Sequence, residues 1–192
     1  MENWFIYQRK EYPIEHDPVG SYFVKHPEKK PEPSPQNWNS SLSRGYVSWY
    51  ELRDEQLFLS DLKIWQGPNS WKSVLAETFG NANGLKIDWY TGLLLSRYGQ
   101  NKHRGPIENI DFRKSYENYA VFEFESGRLM KAVFFDNKGF RKFSAAQFEA
   151  FKKTKEFPVI VKRWQSWGYT KEDAELIVAD SLFGYLTRIL PN

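Results

Sequence analysis

Chemistry in a folded chain needs particular side chains at particular spacings. His16, His26 and His103 are the only histidines, and none has a second ligand at metal-binding spacing. There is no cysteine, which removes a thiol nucleophile, a thiolate metal site and a disulfide framework. The zinc-protease HExxH, the nucleophile-elbow GxSxG and the phosphate-cradling GxxxxGK(S/T) do not occur, and Gly80, Gly84, Gly92 and Gly99 stand singly. No metal and no cofactor is expected. Glu123 and Glu125 lie two apart, so both fall on one face of a strand. Paired carboxylates flanking a cleft can serve glycoside hydrolysis as acid and base. Alternation with Phe122 and Phe124 instead puts them on the wet side of a half-buried strand. Asp88, within Asp88-Trp89-Tyr90-Thr91-Gly92, reads as a structural turn whose carboxylate accepts backbone hydrogen bonds. The alternative is a binding corner, and Asp88 is the one candidate for catalysis if the chain is an enzyme of unfamiliar design.

Charge is the stronger signal. The whole chain carries a formal charge of only +3. Between positions 138 and 163, however, eight basic residues stand against two acids, Glu149 and Glu156. The eight are Lys138, Arg141, Lys142, Lys152, Lys153, Lys155, Lys162 and Arg163, with Trp164 next in line. Such a run is usually a solvated helix face. It is also the candidate partner surface, either for an acidic protein or, as the alternative, for a phosphate backbone.

These residues are positioned by the following expected elements. Residues 1–44 read as an irregular, Pro-rich N-terminal strap, because Lys25 to Pro35 holds four prolines in eleven residues. Its rings, among them Trp4, Phe5, Tyr7, Tyr22, Phe23 and Trp38, imply that parts of it pack on something. From Tyr46 the period becomes two, with Tyr46, Ser48, Tyr50 and Leu52 on one side. A second run follows Arg53-Asp54-Glu55, with Leu57 and Leu59 opposite Phe58, Ser60 and Leu62, which makes a hairpin. One short helix is expected near 70–79, closed by Gly80. Further strands start at Leu85 and Leu93, and a polar stretch with Gly105-Pro106 follows. Tyr119 to Glu125, Ser126-Gly127 and Arg128 to Phe135 form the clearest hairpin. Asp136 to Gly139 reads as another turn. Helices occupy 144–192: Ser144 and Gln147 as a capping box, Pro158 opening a second helix, and Thr170 with Asp173 capping the last. The fold class is α+β: a curved antiparallel β-sheet built from hairpins over about 45–143, then C-terminal helices packed on the same domain.

Arg44-Gly45-Tyr46-Val47-Ser48-Trp49-Tyr50-Glu51-Leu52, followed by Leu57-Phe58-Leu59, resembles a widespread family of small uncharacterised bacterial proteins with the pattern RGY-x-x-x-W-E-(I/L), a turn and L-(Y/F)-L. Asp88 to Leu94 is similar to its later W-(F/Y)-(S/T)-G-x-L block, and Tyr116-Glu117 with the Phe122 to Leu129 hairpin to its third. The likeness covers about residues 44 to 130. Tyr50 intrudes between Trp49 and Glu51, and Leu95-Ser96-Arg97-Tyr98 replaces a Pro-containing stretch. The resemblance implies a bacterial source and carries no catalytic residues. Small aromatic-rich chains without catalytic motifs also resemble, by analogy, the immunity proteins of bacterial toxin systems, which need only a complementary surface.

The expectation is therefore a non-enzymatic cytoplasmic protein that binds another protein, an immunity protein occluding a toxin domain. No signal-length apolar run precedes Arg9 and Lys10, and no stretch reaches the roughly 20 apolar residues of a membrane span, so no membrane partner is expected.

Overall fold

The computed structural model describes residues 2–32, 44–67, 70–101 and 116–191. Strand accounts for 39% and helix for 34%, and the class is α+β with the longest helices at the C-terminal end. The chain forms two compact units: Met1–Tyr90 with Glu125–Leu129, and Thr91–Phe124 with Met130–Asn192.

The first unit begins where a strap was expected. β1 (Asn3–Tyr7) and β2 (Lys10–Ile14) form an antiparallel hairpin. Its turn residues Gln8 and Arg9 both take positive φ, 49° and 64°, without a glycine to announce it. Phe5, Tyr12 and Ile14 alternate into the core. β1 also pairs in parallel with β3 (Val47–Arg53), Phe5 lying opposite Tyr50, so the sheet is mixed where an antiparallel one was expected. α1 (Gly20–Lys25) and a 3-10 turn at Pro27–Lys29 follow β2, with Phe23 buried. The strap expectation is thus corrected: five-residue strands carried enough apolar side chains to be covered on one face. Pro33 to Pro35 and Trp38 lie outside the described residues.

β3 pairs antiparallel with β4 (Gln56–Gly67) across Asp54-Glu55, as the period predicted. The alternation is not strict. Trp49 faces Asp61 while Tyr50 faces Leu59, so Ser60 is an extra residue on β4. This bulge reverses the parity and brings Leu62, expected opposite Leu57 and Leu59, onto their side, where all three are fully buried. The Ser60 hydroxyl donates to Trp49 O at 3.1 Å beside it. β5 (Ser70–Ser73) occupies the first half of the expected helix, and α2 is only Leu75–Phe79, closed by Gly80 at φ 68°. β6 (Leu85–Lys86) pairs with β4.

The second unit holds β7 (Gly92–Asn101) and β8 (Tyr116–Glu125), antiparallel with Leu95 opposite Val121. β9 (Arg128–Asp136) lies beside β8. Helices then follow without a pause: α3 (Asn137–Lys152), α4 (Glu156–Ser166), α5 (Lys171–Asp180) and α6 (Leu182–Tyr185). Leu93, Leu95, Tyr119 and Val121 form one core with Phe140, Phe151, Phe157, Val161, Val178 and Leu182. The Tyr119 and Phe140 rings stack at 3.9 Å. Tyr119 to Phe122 is a continuous buried run, as a strand covered on both faces requires. Pro158 in the first turn of α4 and Thr170 capping α5, its hydroxyl accepting from Asp173 N at 3.1 Å, match the expected starts.

α3 does not start at Ser144. Asp136 caps it, accepting from Gly139 N at 2.6 Å, so the expected turn is a helix start. Gln147 caps nothing. It is buried, and its amide holds the C-terminal segment, accepting from Leu190 N at 2.7 Å and donating to Leu190 O at 3.0 Å. The helical segment accordingly begins at 137 rather than 144.

The Ser126-Gly127 turn counts with the first unit. Gly127 N donates to Tyr90 O at 2.7 Å, Leu57 N to Gly127 O at 2.8 Å, and Leu129 N to Glu55 O at 2.8 Å. Gly127 has φ +74°, and a Cβ there would overlap the Ile87 carbonyl oxygen. Gly127→Ala is expected to cost roughly 3 kcal/mol or more, from backbone strain plus a contact that only backbone movement can relieve. Urea unfolding checks it: a midpoint within error of the wild type would refute the packing described.

Candidate functional site

Two places gather polar or charged side chains, one in each unit. In the first unit the centre is Asp17, a residue no motif flagged. Its side chain is only 16% exposed. Oδ2 accepts from the Tyr46 hydroxyl at 2.6 Å, Oδ1 from the Tyr50 hydroxyl at 3.1 Å, and Arg44 Nη1 lies 3.6 Å from Oδ2. Tyr50 Oη also accepts from Val19 N at 3.1 Å. Gly20 leaves room for this carboxylate, since a Cβ there would stand 2.7 Å from Oδ2. The sequence offered three of the four residues of the cluster: Arg44, Tyr46 and Tyr50 all belong to the first motif of the resemblance. Their partner lies 29 residues from Tyr46, and nothing in local spacing could find it.

Burial pushes the Tyr46 and Tyr50 phenols well above their ordinary range, and the Asp17 carboxylate adds to it. Both therefore stay protonated and serve as donors, not as bases or nucleophiles. The arrangement is a clasp that fixes the start of α1 against β3.

The Asp88 turn serves the same region. Trp89 Nε1 donates to Pro18 O at 3.1 Å, and the Trp89 ring lies 5.4 Å from Tyr22. Asp88 itself is exposed, and the hydrogen bonds described at this turn run through Trp89 and the Tyr90 carbonyl rather than through the Asp88 carboxylate expected to make them. His26 packs against Tyr22 at 4.4 Å with the rings tilted, and lies 3.6 Å from Glu28; His103 lies outside the described residues. Among the described residues no group of three His, Asp or Glu side chains is placed to hold a metal ion. Glu125 is exposed, while Glu123 is half-buried on the Val121 side of β8.

The second place is the outer side of α3 and α4. Helical spacing sets Lys138, Arg141, Lys142 and Lys152 on the side opposite Phe140, Gln147 and Phe151, and only the latter three are buried. Lys153 and Lys155 lie in the link to α4, and Lys162 and Arg163 face away from buried Phe157 and Val161. All eight cations are exposed. Glu149 sits among them, 2.6 Å from Lys152, and Arg141 Nε donates to Asn137 Oδ1 at 3.0 Å. Lys153 and Arg188 also flank a groove of about 490 Å³ floored by Ala146, Ala150, Leu190 and Pro191.

Trp164 is a correction. It is half-buried, its indole N–H donates to the Tyr185 hydroxyl at 3.0 Å, and its ring packs edge-on against Trp167 and Tyr169 at 4.9 and 5.4 Å. Trp164 supports the surface instead of forming it. The rings presented to solvent are Trp167, 62% exposed, and Tyr169, 45%. Val159, Arg163 and Trp167 follow one another four apart, a single stripe along α4 that ends at its C-terminal cap. The i, i+4 spacing from Arg163 would have pointed to Trp167.

No protein-family model, no curated protein and no solved structure matches the chain. Among the described residues no helix is long and apolar enough to cross a membrane.

The clasp predicts an alkaline limit. An unfolded phenol titrates near 10.0, whereas Tyr46 and Tyr50 keep their protons above it in the folded chain. Above pH 10 the unfolded state binds fewer protons than the folded one, so stability contributed by these groups is complete below pH 10 and declines as pH rises further. Tyr46→Phe removes a hydrogen bond to a carboxylate, at a cost of about 1.5–3 kcal/mol, and should flatten that decline. Urea midpoints between pH 7 and 11 for both proteins check it; equal slopes would count against the assignment.

Proposed function

We propose that the chain is a non-catalytic protein-binding protein whose contact surface is the outer side of α3 and α4 with Trp167 at its centre. One observation carries this reading: eight exposed cations lie on α3, α4 and the link between them, and one of them, Arg163, stands between exposed Val159 and Trp167 at four-residue spacing. Tryptophan and arginine are the side chains most often responsible for interface affinity, and a cationic rim fits an acidic partner. The Trp164–Tyr185 hydrogen bond supports the aromatic group from beneath, so little ordering is left to be done on binding.

The finer reading is an immunity protein of the bacterial cytoplasm that occludes an acidic toxin domain. It fits the resemblance of residues 44 to 130 to small bacterial proteins, and an occluding surface needs no catalytic group. Nucleic acid is the second reading, favoured by the same eight cations. Glu149, paired with Lys152 in the middle of the α3 row, suits a protein partner better than a uniform run of phosphates.

The test pairs the purified chain with the toxin domain encoded beside it, by calorimetry and by growth rescue. Trp167→Ala and Arg163→Ala are each expected to weaken binding by about 2 kcal/mol, near thirtyfold, with unchanged unfolding midpoints. Lys138, Arg141 and Lys142 replaced together by Glu should slow association and reduce its salt dependence. Absence of binding and rescue would defeat the toxin reading. Binding of duplex DNA with a steep salt slope would favour the second.

A further inference from the structure

β9 presents an edge with which, among the described residues, no strand pairs beyond Arg128. Its inner side lies along β8. On its outer side β4 reaches it only at Arg128, opposite Gln56, and among the described residues no strand pairs with the rest of that side. Leu129 N points outward, since it donates to Glu55 O. Period two then turns the backbone groups of Lys131, Val133 and Phe135 outward as well, and those of Met130, Ala132 and Phe134 toward β8. On the side-chain level Met130 and Phe134 share one face and are 54% and 46% exposed. An edge of this length with two exposed apolar side chains and a single lysine between them is weakly protected against strand addition.

We propose that a second copy of the chain pairs with β9, antiparallel and strand to strand, about a two-fold axis at Val133. The open stretch is 130–136, and Val133 is its midpoint. An axis there makes hydrogen-bonded pairs of Val133 with the partner's Val133 and of Lys131 with the partner's Phe135, which are the residues whose backbone groups point outward. Ala132 falls opposite the partner's Phe134, joining Met130, Ala132 and Phe134 of both copies into one apolar face. Charge agrees with this register. Arg128 lies diagonal to the partner's Asp136, within reach of a long side chain, and the two Lys131 side chains stand four residues apart along the strands, about 13 Å. An axis one residue earlier would set the partner's Asp136 against Arg128, where Gln56 already pairs. The contact is isologous and closes on itself, so it yields a dimer and not a filament.

Sedimentation velocity from about 1 to 200 µM spans the range in which small interfaces associate. The wild type is expected to shift from monomer to dimer across it. Amide hydrogen exchange should slow with concentration at Lys131, Val133 and Phe135 and stay constant at the alternate amides. Lys131→Pro removes one outward N–H at an exposed position and is expected to leave a folded monomer. Phe134→Lys, which brings like charges together across the axis, should raise the dissociation constant at least tenfold; unfolding midpoints verify that both variants fold. A wild type that is monomeric throughout, or a dimer that both variants leave intact, overturns the proposal.

Discussion

A carboxylate largely withdrawn from water must be met by donors, and the first unit is arranged around that requirement. Asp17 lies in the link between β2 and α1. Its oxygens are taken by Tyr46, Tyr50 and Arg44, all at or near β3. The bond from Val19 N to Tyr50 closes the loop by anchoring the first residues of α1 to the same phenol. Removing any one donor would leave a buried charge less well paired, which costs more than the bond itself contributes. The N-terminal residues are therefore held by two different means. β1 is fixed by backbone pairing with β3, and the segment after β2 by side chains that converge on one acid.

The two means differ in how visible they are in the amino-acid order. The β3–β4 hairpin, the β8–β9 hairpin and the start of α5 could all be read, because each is written in local spacing: alternation, a polar or glycine turn, a Thr-x-x-Asp cap. β1 and β2 could not. They are five residues long, their turn uses Gln8 and Arg9 at positive φ in place of Asn-Gly, and the second strand contains Pro13, a residue that argues against a strand. The parallel pairing of β1 with β3 depends on residues some 45 positions apart. Asp17 was invisible for the same reason, although its three partners stood inside one recognised motif.

Two misreadings came from local patterns with more than one use. Ser144 and Gln147 have capping-box spacing, yet Asp136 caps the helix about two turns earlier, through an Asp-x-x-Gly pattern that also describes a turn. Once α3 begins at Asn137, Gln147 faces the core, and a buried amide needs both a donor and an acceptor. The Leu190 backbone supplies both. Likewise strict alternation put Leu62 on the wrong side of β4, because the extra residue Ser60 has no signature of its own in a run of polar and apolar residues.

Aromatic content bears on function in the same qualified way. Thirty-four rings in 192 residues suggest a sticky exterior. Most of the described ones are not exterior. Phe135, Phe140, Phe143 and Phe183 pack on one another, stacked or tilted, in the second unit, and Tyr22, Phe23, Phe79 and Trp89 do so, some edge-on, in the first. Among the described residues the exposed rings are Trp71, Phe134, Trp167 and Tyr169. Composition alone thus overstates the adhesive surface, and position corrects it. Phe134 lies on a strand edge, where backbone groups supply most of the recognition and self-pairing fits. Trp167 caps the end of α4, four residues from Arg163, where side chains must supply all of it and the partner proposed is one of opposite charge. The two surfaces use different chemistry, so a substitution at either one can be made to fail without touching the other.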